Sequence, residues 1–352
     1  LDVALARYAQ LVEHGGSSAR AGEARMRSGH IHVRRGNRVQ AAEVFETYLE
    51  NFPEGRRWQE AAYWAGRVRF ELGDSVRGRE LLVRAMTEQP VEYYAHLSAE
   101  LLDVPYAIDF PEGERATEPL WLTEGLARLD LLHESGLEAG ALSEIERLRA
   151  RARGSRGPTL RLAEALIDRG RTIDGINLGW ALLEEAGGWD RQILRVAFPF
   201  PYRELVRREA AEWGVDPIML AAIIRQESAF KSDIVSRAGA IGLMQVMPPT
   251  GAQLARAHGP RPFTDETLSS PEVNLHLGAA YVTDMRRRYD GDLGLVLSAY
   301  NAGPTRATRW SSYPEASDPH RFTERIPIEE TRGYVKSVRR NLGLYRALYG
   351  EE

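Results

Sequence analysis

The sequence of 352 residues contains no cysteine. This absence excludes disulfides, thiolate metal sites and a lipid attached through a cysteine of this chain. Lysine is also scarce, since only Lys231 and Lys336 accompany the many arginines. Acidic and basic residues nearly balance, and the net charge of −4 gives no general attraction to polyanions. We therefore expect neither nucleic acid nor an anionic lipid surface as a partner.

Two hydrophobic patterns are missing as well. No apolar run reaches the length of a membrane span, so we expect no such span in this chain. No stretch of any length alternates apolar and polar residues in the way of a half-buried strand. The sequence therefore predicts an all-α fold, and its length suggests two or three domains. The chain begins at Leu1 without a methionine or a secretory signal, so we expect a mature or trimmed form.

A weak internal repeat organises residues 1–105. Gly36-Asn37 recurs as Gly73-Asp74, and Phe52-Pro53 is matched at the same offset by Gln89-Pro90. Each unit is a helix, a glycine-containing turn, a second helix and a proline stop, which indicates a solenoid of helix pairs. After a loop rich in proline, glycine and acids, residues 119–196 carry amphipathic periodicity and are predicted to form a helical linker domain. Two prolines near residue 200 place the start of a third domain, 197–352.

The stretch from Asp216 to Pro248 carries the strongest chemical signal. Asp216 is a good N-cap, and Pro217 suits the first helical position. Glu227 ends a helix face that is otherwise apolar, where desolvation raises the pKa of a carboxyl group toward the value that a general acid needs. The helix is expected to stop at the turn 231–233, which leaves this carboxyl near its negative end. The face consists of Leu220, Ile223, Ile224 and Glu227. The ordinary alternative is a glutamate paired with arginine or reaching water.

A compact segment follows, in which Gly239 and Gly242 allow the backbone to approach a ligand closely. Met244, Gln245 and Met247 supply adaptable apolar surface and one amide. An acid beside such a wall suits a groove for a neutral polymer such as a glycan.

Five blocks then occur in order: ESAF, SRAGAIGLMQVMPPT, NLHLGAAYVTDM, SAYNAGPTRATRW and ERIPIEETRGYVKSV. Together they closely resemble the catalytic domain of the soluble lytic transglycosylases, over roughly the last 140 residues. The N-terminal helices resemble the superhelical arm of the same family. The resemblance implies a lysozyme-like catalytic domain at the C-terminal end, joined through the linker domain to the solenoid.

The resemblance also implies an activity. Such enzymes cut the β-1,4 bond between N-acetylmuramic acid and N-acetylglucosamine in peptidoglycan without using water, which leaves 1,6-anhydro ends. One glutamate acts first as acid and then as base, and no cofactor takes part. The substrate implies the periplasm or cell envelope, with protein partners left open. A hydrolytic muramidase and a non-catalytic peptidoglycan-binding scaffold are the alternatives.

Site residues follow from the matching blocks and from the groove argument. Glu227 matches the acid/base, and we expect nine further residues to bind substrate: Ser236, Met244, Gln245, Met247, Tyr281, Tyr300, Asn301, Glu324 and Tyr334. Ser236 and Asn301 are alternatively turn or cap residues, and Tyr300 and Tyr334 alternatively core aromatics. No second carboxylate is expected, because the nearest, Asp233, lies in a polar turn. We expect no metal, since His258, His276 and His320 lack ligand spacing and are predicted at the surface.

Overall fold

The computed structural model describes residues 1–106, 111–113, 117–186 and 188–350, with the backbone alone for 184–186. Within these ranges the chain is all-α, as predicted, and the only extended pairing is two isolated bridges between Val235 and Val246. None of the described helices combines the length and apolar character needed to cross a membrane. Part of the predicted loop 103–118 lies outside the described residues.

The helices follow one another with short connections. The first eleven are α1 Asp2–Gly15, α2 Ala19–Arg35, α3 Arg38–Asn51, α4 Trp58–Glu71, α5 Ser75–Glu88, α6 Tyr93–Leu102, α7 Leu120–Glu134, α8 Glu138–Ala152, α9 Arg156–Asp168, α10 Thr172–Ala186 and α11 Arg191–Ala197. The remaining eight are α12 Arg203–Trp213, α13 Pro217–Glu227, α14 Pro248–His258, α15 Pro271–Arg288, α16 Leu293–Ala302, α17 Pro304–Trp310, α18 Pro319–Arg325 and α19 Glu329–Tyr349. Short 3₁₀ helices span Asp265–Ser269 and Pro314–Ser317.

The chain divides into two compact units. Unit 1 comprises Leu1–Ile108 with Pro314–Arg332, and unit 2 comprises Asp109–Tyr313 with Gly333–Glu352. A late segment that contains α18 therefore belongs with the N-terminal helices. The predicted domains 1–105, 119–196 and 197–352 stay a prediction.

In unit 1, each of α1 to α5 packs against the next helix in the chain, which is the arrangement expected of a solenoid. Gly36 and Gly73 occupy the two predicted turns with φ values of 73° and 87°, which favour glycine. The core between the helices is aromatic and includes Phe45 and Trp64, which are 0% and 1% exposed. The helical solenoid predicted from the repeat is thus present.

His320 corrects a prediction. It was expected at the surface, but its side chain on α18 is only 11% exposed and shares a hydrogen bond of 2.5 Å with the Tyr63 hydroxyl. Its other ring nitrogen lies 3.0 Å from a carboxylate oxygen of Glu100. The error has a physical reason, because these partners are distant in sequence and leave no local pattern around the histidine.

In unit 2, α13 is a core helix. Ile218 N–H donates to the Asp216 carboxylate at 2.8 Å, which confirms the predicted N-cap before Pro217. The helix ends at Glu227, before the turn at 231–233 where it was expected to stop. Ala229 and Phe230 have φ values of 50° and 63°, and two successive left-handed residues cannot continue a right-handed helix. Glu227 is therefore the last helical residue.

Candidate active site

Glu227 lies half-buried at the end of α13, behind a fully buried run that includes Ile223 and Ile224. Burial raises its pKa to about 7, and a smaller opposing effect comes from the Tyr334 hydroxyl. No ion pair to this carboxylate is found within the described ranges. A carboxyl with this pKa carries its proton over much of the neutral range, as general-acid catalysis requires.

Tyr334, from α19, contributes a phenol beside the acid. Its side chain is 6% exposed, and burial followed by the charge of Glu227 raises its pKa well above the ordinary value. The hydroxyl forms no hydrogen bond of ordinary distance and angle with any described residue.

The segment after α13 folds into a tight loop. Antiparallel bridges join Val235 to Ile241 and Ile241 to Val246. Gln245 adopts a φ of 48°, and its side-chain amide donates to the carbonyls of Ile234 and Gly242 at 3.1 and 3.0 Å. The amide therefore stabilises the loop from within. Met247, two residues on, is 40% exposed, which leaves apolar surface available to a ligand.

Met244 contributes to the site through its backbone. Its side chain is fully buried against Gly278 of α15, and its carbonyl accepts a hydrogen bond of 2.7 Å from the Tyr300 hydroxyl. The Tyr300 ring lies 5.4 Å from that of Tyr281, centroid to centroid. Burial, and then the charge of Glu227, raise the pKa of Tyr300 well above its ordinary value. The two tyrosines, the loop and the acid thus form one cluster.

The remaining predicted residues differ in their surroundings. The Ser236 hydroxyl accepts from Ala240 N–H at 3.0 Å, as a turn residue does. Asn301 is half-buried and lies beside Tyr300 in the last turn of α16. Glu324 belongs to unit 1, where its carboxylate accepts a 2.7 Å hydrogen bond from the Tyr94 hydroxyl. The substrate-binding roles of all nine residues stay predictions.

Other carboxylates near Glu227 in sequence are exposed. The Asp233 side chain is 73% exposed and lies 3.8 Å from the Lys231 ammonium group. Asp265, Glu266 and Glu272 are exposed too. Among the described residues, none of these acids affects the pKa of Glu227. Glu227 is thus the one of these five acids that is not exposed.

Among the described residues, two side-chain groups have ligand atoms close enough together to hold a metal ion: His30, Glu60 and Glu324, and Glu209, Glu212 and His276. In the first group, Arg57 donates to both oxygens of Glu60. In the second, a carboxylate oxygen of Glu209 lies 2.8 Å from Nδ1 of His276. Both groups thus contain a carboxylate that already takes part in hydrogen bonds with a neighbouring side chain.

Two buried residues that the sequence analysis missed connect the loop to the helices. The Ser228 hydroxyl, next to Glu227, donates to the Leu243 carbonyl at 2.8 Å. Asn274, in the first turns of α15, is fully buried and accepts from Met244 N–H at 2.7 Å. A weak signal existed, because asparagine near a helix start often bonds backbone groups and this one lies in the NLHLGAAY block.

Comparison with known proteins identifies a family model that matches this region of the chain. Residues 204–322 match the model of the transglycosylase SLT domain. The chain contains an SLT domain. This range includes Glu227, the loop and Tyr300. The predicted resemblance to soluble lytic transglycosylases is thereby confirmed.

Relatives extend the similarity beyond the SLT domain. The chain is 28% identical over 316 residues to the soluble lytic murein transglycosylase of Escherichia coli K12, covering 87% of this chain and 46% of the relative. A putative soluble lytic murein transglycosylase of Haemophilus influenzae is 36% identical over 157 residues, covering 44% of this chain and 26% of the relative. The chain thus spans about half or less of the length of these relatives.

Solved structures confirm the predicted fold class. An inactive mutant of the lytic transglycosylase Slt from Pseudomonas aeruginosa superposes with a TM-score of 0.76 at 26% identity, covering 97% of this chain and 54% of that one. A complex of a 70-kDa soluble lytic transglycosylase with bulgecin A gives a TM-score of 0.75 at 25% identity, covering 94% of this chain and 52% of that one.

Proposed function

We propose that this protein is a peptidoglycan lytic transglycosylase in which Glu227 is both the acid and the base. The observation that carries the proposal is a carboxyl group whose pKa is raised to about 7 by burial, at the end of the core helix of an SLT domain. The relatives named as murein transglycosylases support the same substrate class.

The proposed reaction needs one carboxyl group. Protonated Glu227 gives its proton to the oxygen between N-acetylmuramic acid and N-acetylglucosamine, and the bond from the anomeric carbon to that oxygen breaks. The 2-acetamido group assists departure. The Glu227 carboxylate then takes the proton of the sugar's C6 hydroxyl, whose oxygen bonds to the anomeric carbon and closes the 1,6-anhydro ring. Glu227 ends protonated, and no water is consumed.

The absence of a second influential acid in the described structure supports this route. A hydrolase with two carboxylates places the second one where it activates water or attacks the sugar. Here Asp233 is exposed beside Lys231. A substrate that supplies its own nucleophile removes the need for that group.

Tyr300 and Tyr334 are proposed to line the site around the acid, and exposed Met247 to form part of the groove wall. Peptidoglycan strands are the proposed partner, and the periplasm or cell envelope is the proposed location.

The test is product analysis by mass spectrometry after incubation with purified peptidoglycan. Anhydro-muramyl ends, lighter by one water than reducing ends, support the proposal, whereas reducing ends identify a hydrolytic muramidase. Glu227→Gln should bind the glycan and lose at least about a thousandfold in turnover, the range expected for an acid and base used twice. Asp233→Asn is the matched control, because its exposed carboxylate should be dispensable. Binding without cleavage by the wild-type protein identifies a scaffold.

A further inference from the structure

Asn274 is a polar side chain beside the loop whose amide forms hydrogen bonds through both its oxygen and its amino group. Its carboxamide oxygen accepts from Met244 N–H at 2.7 Å, and its amino group donates to the Ile241 and Leu268 carbonyls, each at 2.8 Å. The residue is 0% exposed. A buried amide with three partners of good geometry fixes its own rotamer and the backbone that it touches. The 241–244 backbone is therefore tied to the start of α15.

The backbone N–H and carbonyl of Met244 link Asn274 to Tyr300. The N–H of Met244 is held by Asn274, and its carbonyl receives the Tyr300 hydroxyl at 2.7 Å. A phenol has one hydrogen to donate, so a hydroxyl that donates to Met244 does not donate to a carboxylate. Glu227 lies close enough for its charge to act on Tyr300.

We propose that Asn274 is a positioning residue: it holds the Met244 carbonyl where that carbonyl takes the Tyr300 hydroxyl hydrogen and keeps it from the Glu227 carboxylate. The inference deepens the proposed function, because an acid must keep its proton until substrate arrives. A hydrogen bond donated to a carboxylate stabilises the charged form. If the Met244 peptide shifts, Tyr300 is released to donate to Glu227, and the acid then loses its proton at lower pH.

A merely structural role for Asn274 predicts something else. Asn274→Ala then lowers thermal stability and the folded fraction, while the remaining folded molecules titrate as the wild type does. The discriminating measurement is therefore the titration of the Glu227 side-chain carboxyl carbon by NMR, assigned with Glu227→Gln. It needs no substrate, so it tests Asn274 even if the wild-type protein cleaves no peptidoglycan, which is how failure of the proposed function is told apart.

The expected result for folded Asn274→Ala is a downward shift of the Glu227 titration by about half a pH unit or more. With peptidoglycan, kcat should fall about tenfold while KM changes much less, since proton transfer and not binding is impaired. Thr283→Ala is the matched control: it removes another buried polar contact of α15, the 3.1 Å hydrogen bond to the Trp213 carbonyl, away from the loop. Its titration should not move.

Tyr300→Phe, alone and combined with Asn274→Ala, completes a double-mutant cycle. The single variant Tyr300→Phe can also be measured if Asn274→Ala does not fold. Because the wild-type hydroxyl is engaged by Met244, its removal should leave the Glu227 titration nearly unchanged. In the double variant, the shift caused by Asn274→Ala should vanish. An unshifted titration in folded Asn274→Ala, a shift that persists in the double variant, or a rise of the Glu227 titration in Tyr300→Phe alone each overturns the proposal.

Discussion

Glu71 in unit 1 and Glu227 in unit 2 are both acids at the end of a buried helix, yet their ionisation is driven in opposite directions. Burial works to raise the pKa of Glu71, but hydrogen bonds and charge from Arg321, with help from Arg38, lower it. The distances from its carboxylate to those guanidinium groups are 2.5 and 3.0 Å.

Glu227 is also subject to burial, but no cation among the described residues forms an ion pair with its carboxylate. Its pKa rises to about 7, and among the described residues only the Tyr334 hydroxyl acts against the rise. The difference between the two acids is therefore that arginines surround Glu71, whereas burial acts on Glu227 with no cation to offset it among the described residues. Unit 1 uses paired acids to join α18 to the solenoid, whereas Glu227 in unit 2 has no ion pair among the described residues. A buried acid without such a partner is suited to proton transfer.

The largest effect expected from this comparison is on the pH dependence of turnover. Because Glu227 must start protonated, kcat/KM should fall as pH rises through about 7, by about a hundredfold between pH 6 and pH 9. The measurement is peptidoglycan turnover across this range, with circular dichroism as a control for folding. An activity limit near pH 4.5, the ordinary value for glutamate, contradicts the effect of burial.

A pair of glycine substitutions tests whether the two cores serve different purposes. Gly278 lies against the Met244 side chain, so Gly278→Ala pushes on the loop that receives Tyr300 and should lower kcat about tenfold. Gly29 lies against Phe45 of the solenoid, where an added Cβ meets the ring at 2.5 Å. Gly29→Ala should cost about 1–3 kcal/mol of stability through overpacking.

The measurement for this pair is activity per folded molecule beside the unfolding temperature of each variant. Gly29→Ala should lose stability while its folded molecules keep nearly full activity. Equal losses of activity in the two variants would mean that the solenoid core and the loop act on the same step.

The sequence predicted what is local in this site. A proline after an aspartate and a 3.6-residue spacing are sufficient to place α13 and to end its apolar face at Glu227. The helix end was misplaced because Ala229 and Phe230 take left-handed angles without a glycine to indicate them.

Long-range hydrogen bonds were beyond the sequence pattern. Glu324 joins Tyr94 across 230 residues, and the backbone carbonyl of Met244 receives a tyrosine 56 residues away. Nothing in the spacing of side chains reports which backbone group a distant hydroxyl reaches. The same holds for Asn274, whose three partners include two carbonyls outside its own helix.

The stability of two charge-neutralising variants should change with opposite sign. At pH 8, Glu227→Gln removes a charge that burial disfavours and should raise stability, by up to about 3 kcal/mol. Glu71→Gln removes the partner of three arginines, Arg38, Arg67 and Arg321, and should lower stability by about 1–2 kcal/mol. Urea unfolding of both variants and the wild type measures this.

Repeating the unfolding measurement at lower pH separates the effect of the buried Glu227 charge from the effect of the Glu71 ion pairs. The folded-state pKa of Glu227 is raised, so the destabilisation by its charge accumulates from the unfolded pKa up to about 7 and should shrink to about a quarter by about pH 5. The pKa of Glu71 is lowered, so its contribution persists at that pH and is lost only as pH falls through its folded pKa. A gain for Glu227→Gln that is the same at both pH values contradicts this account.

The smallest effect concerns the hydroxyl that opposes the rise of the Glu227 pKa. Tyr334→Phe removes that opposition, so the alkaline limit of activity should move upward, by less than about one pH unit because the opposing effect is smaller than that of burial. Tyr289→Phe is the control, since it deletes a hydroxyl of the same unit that donates to the Pro304 carbonyl at 2.8 Å. A downward move in Tyr334→Phe would show that the phenol favours the protonated acid, and the contrast with Glu71 would then rest on more than the absence of a cation.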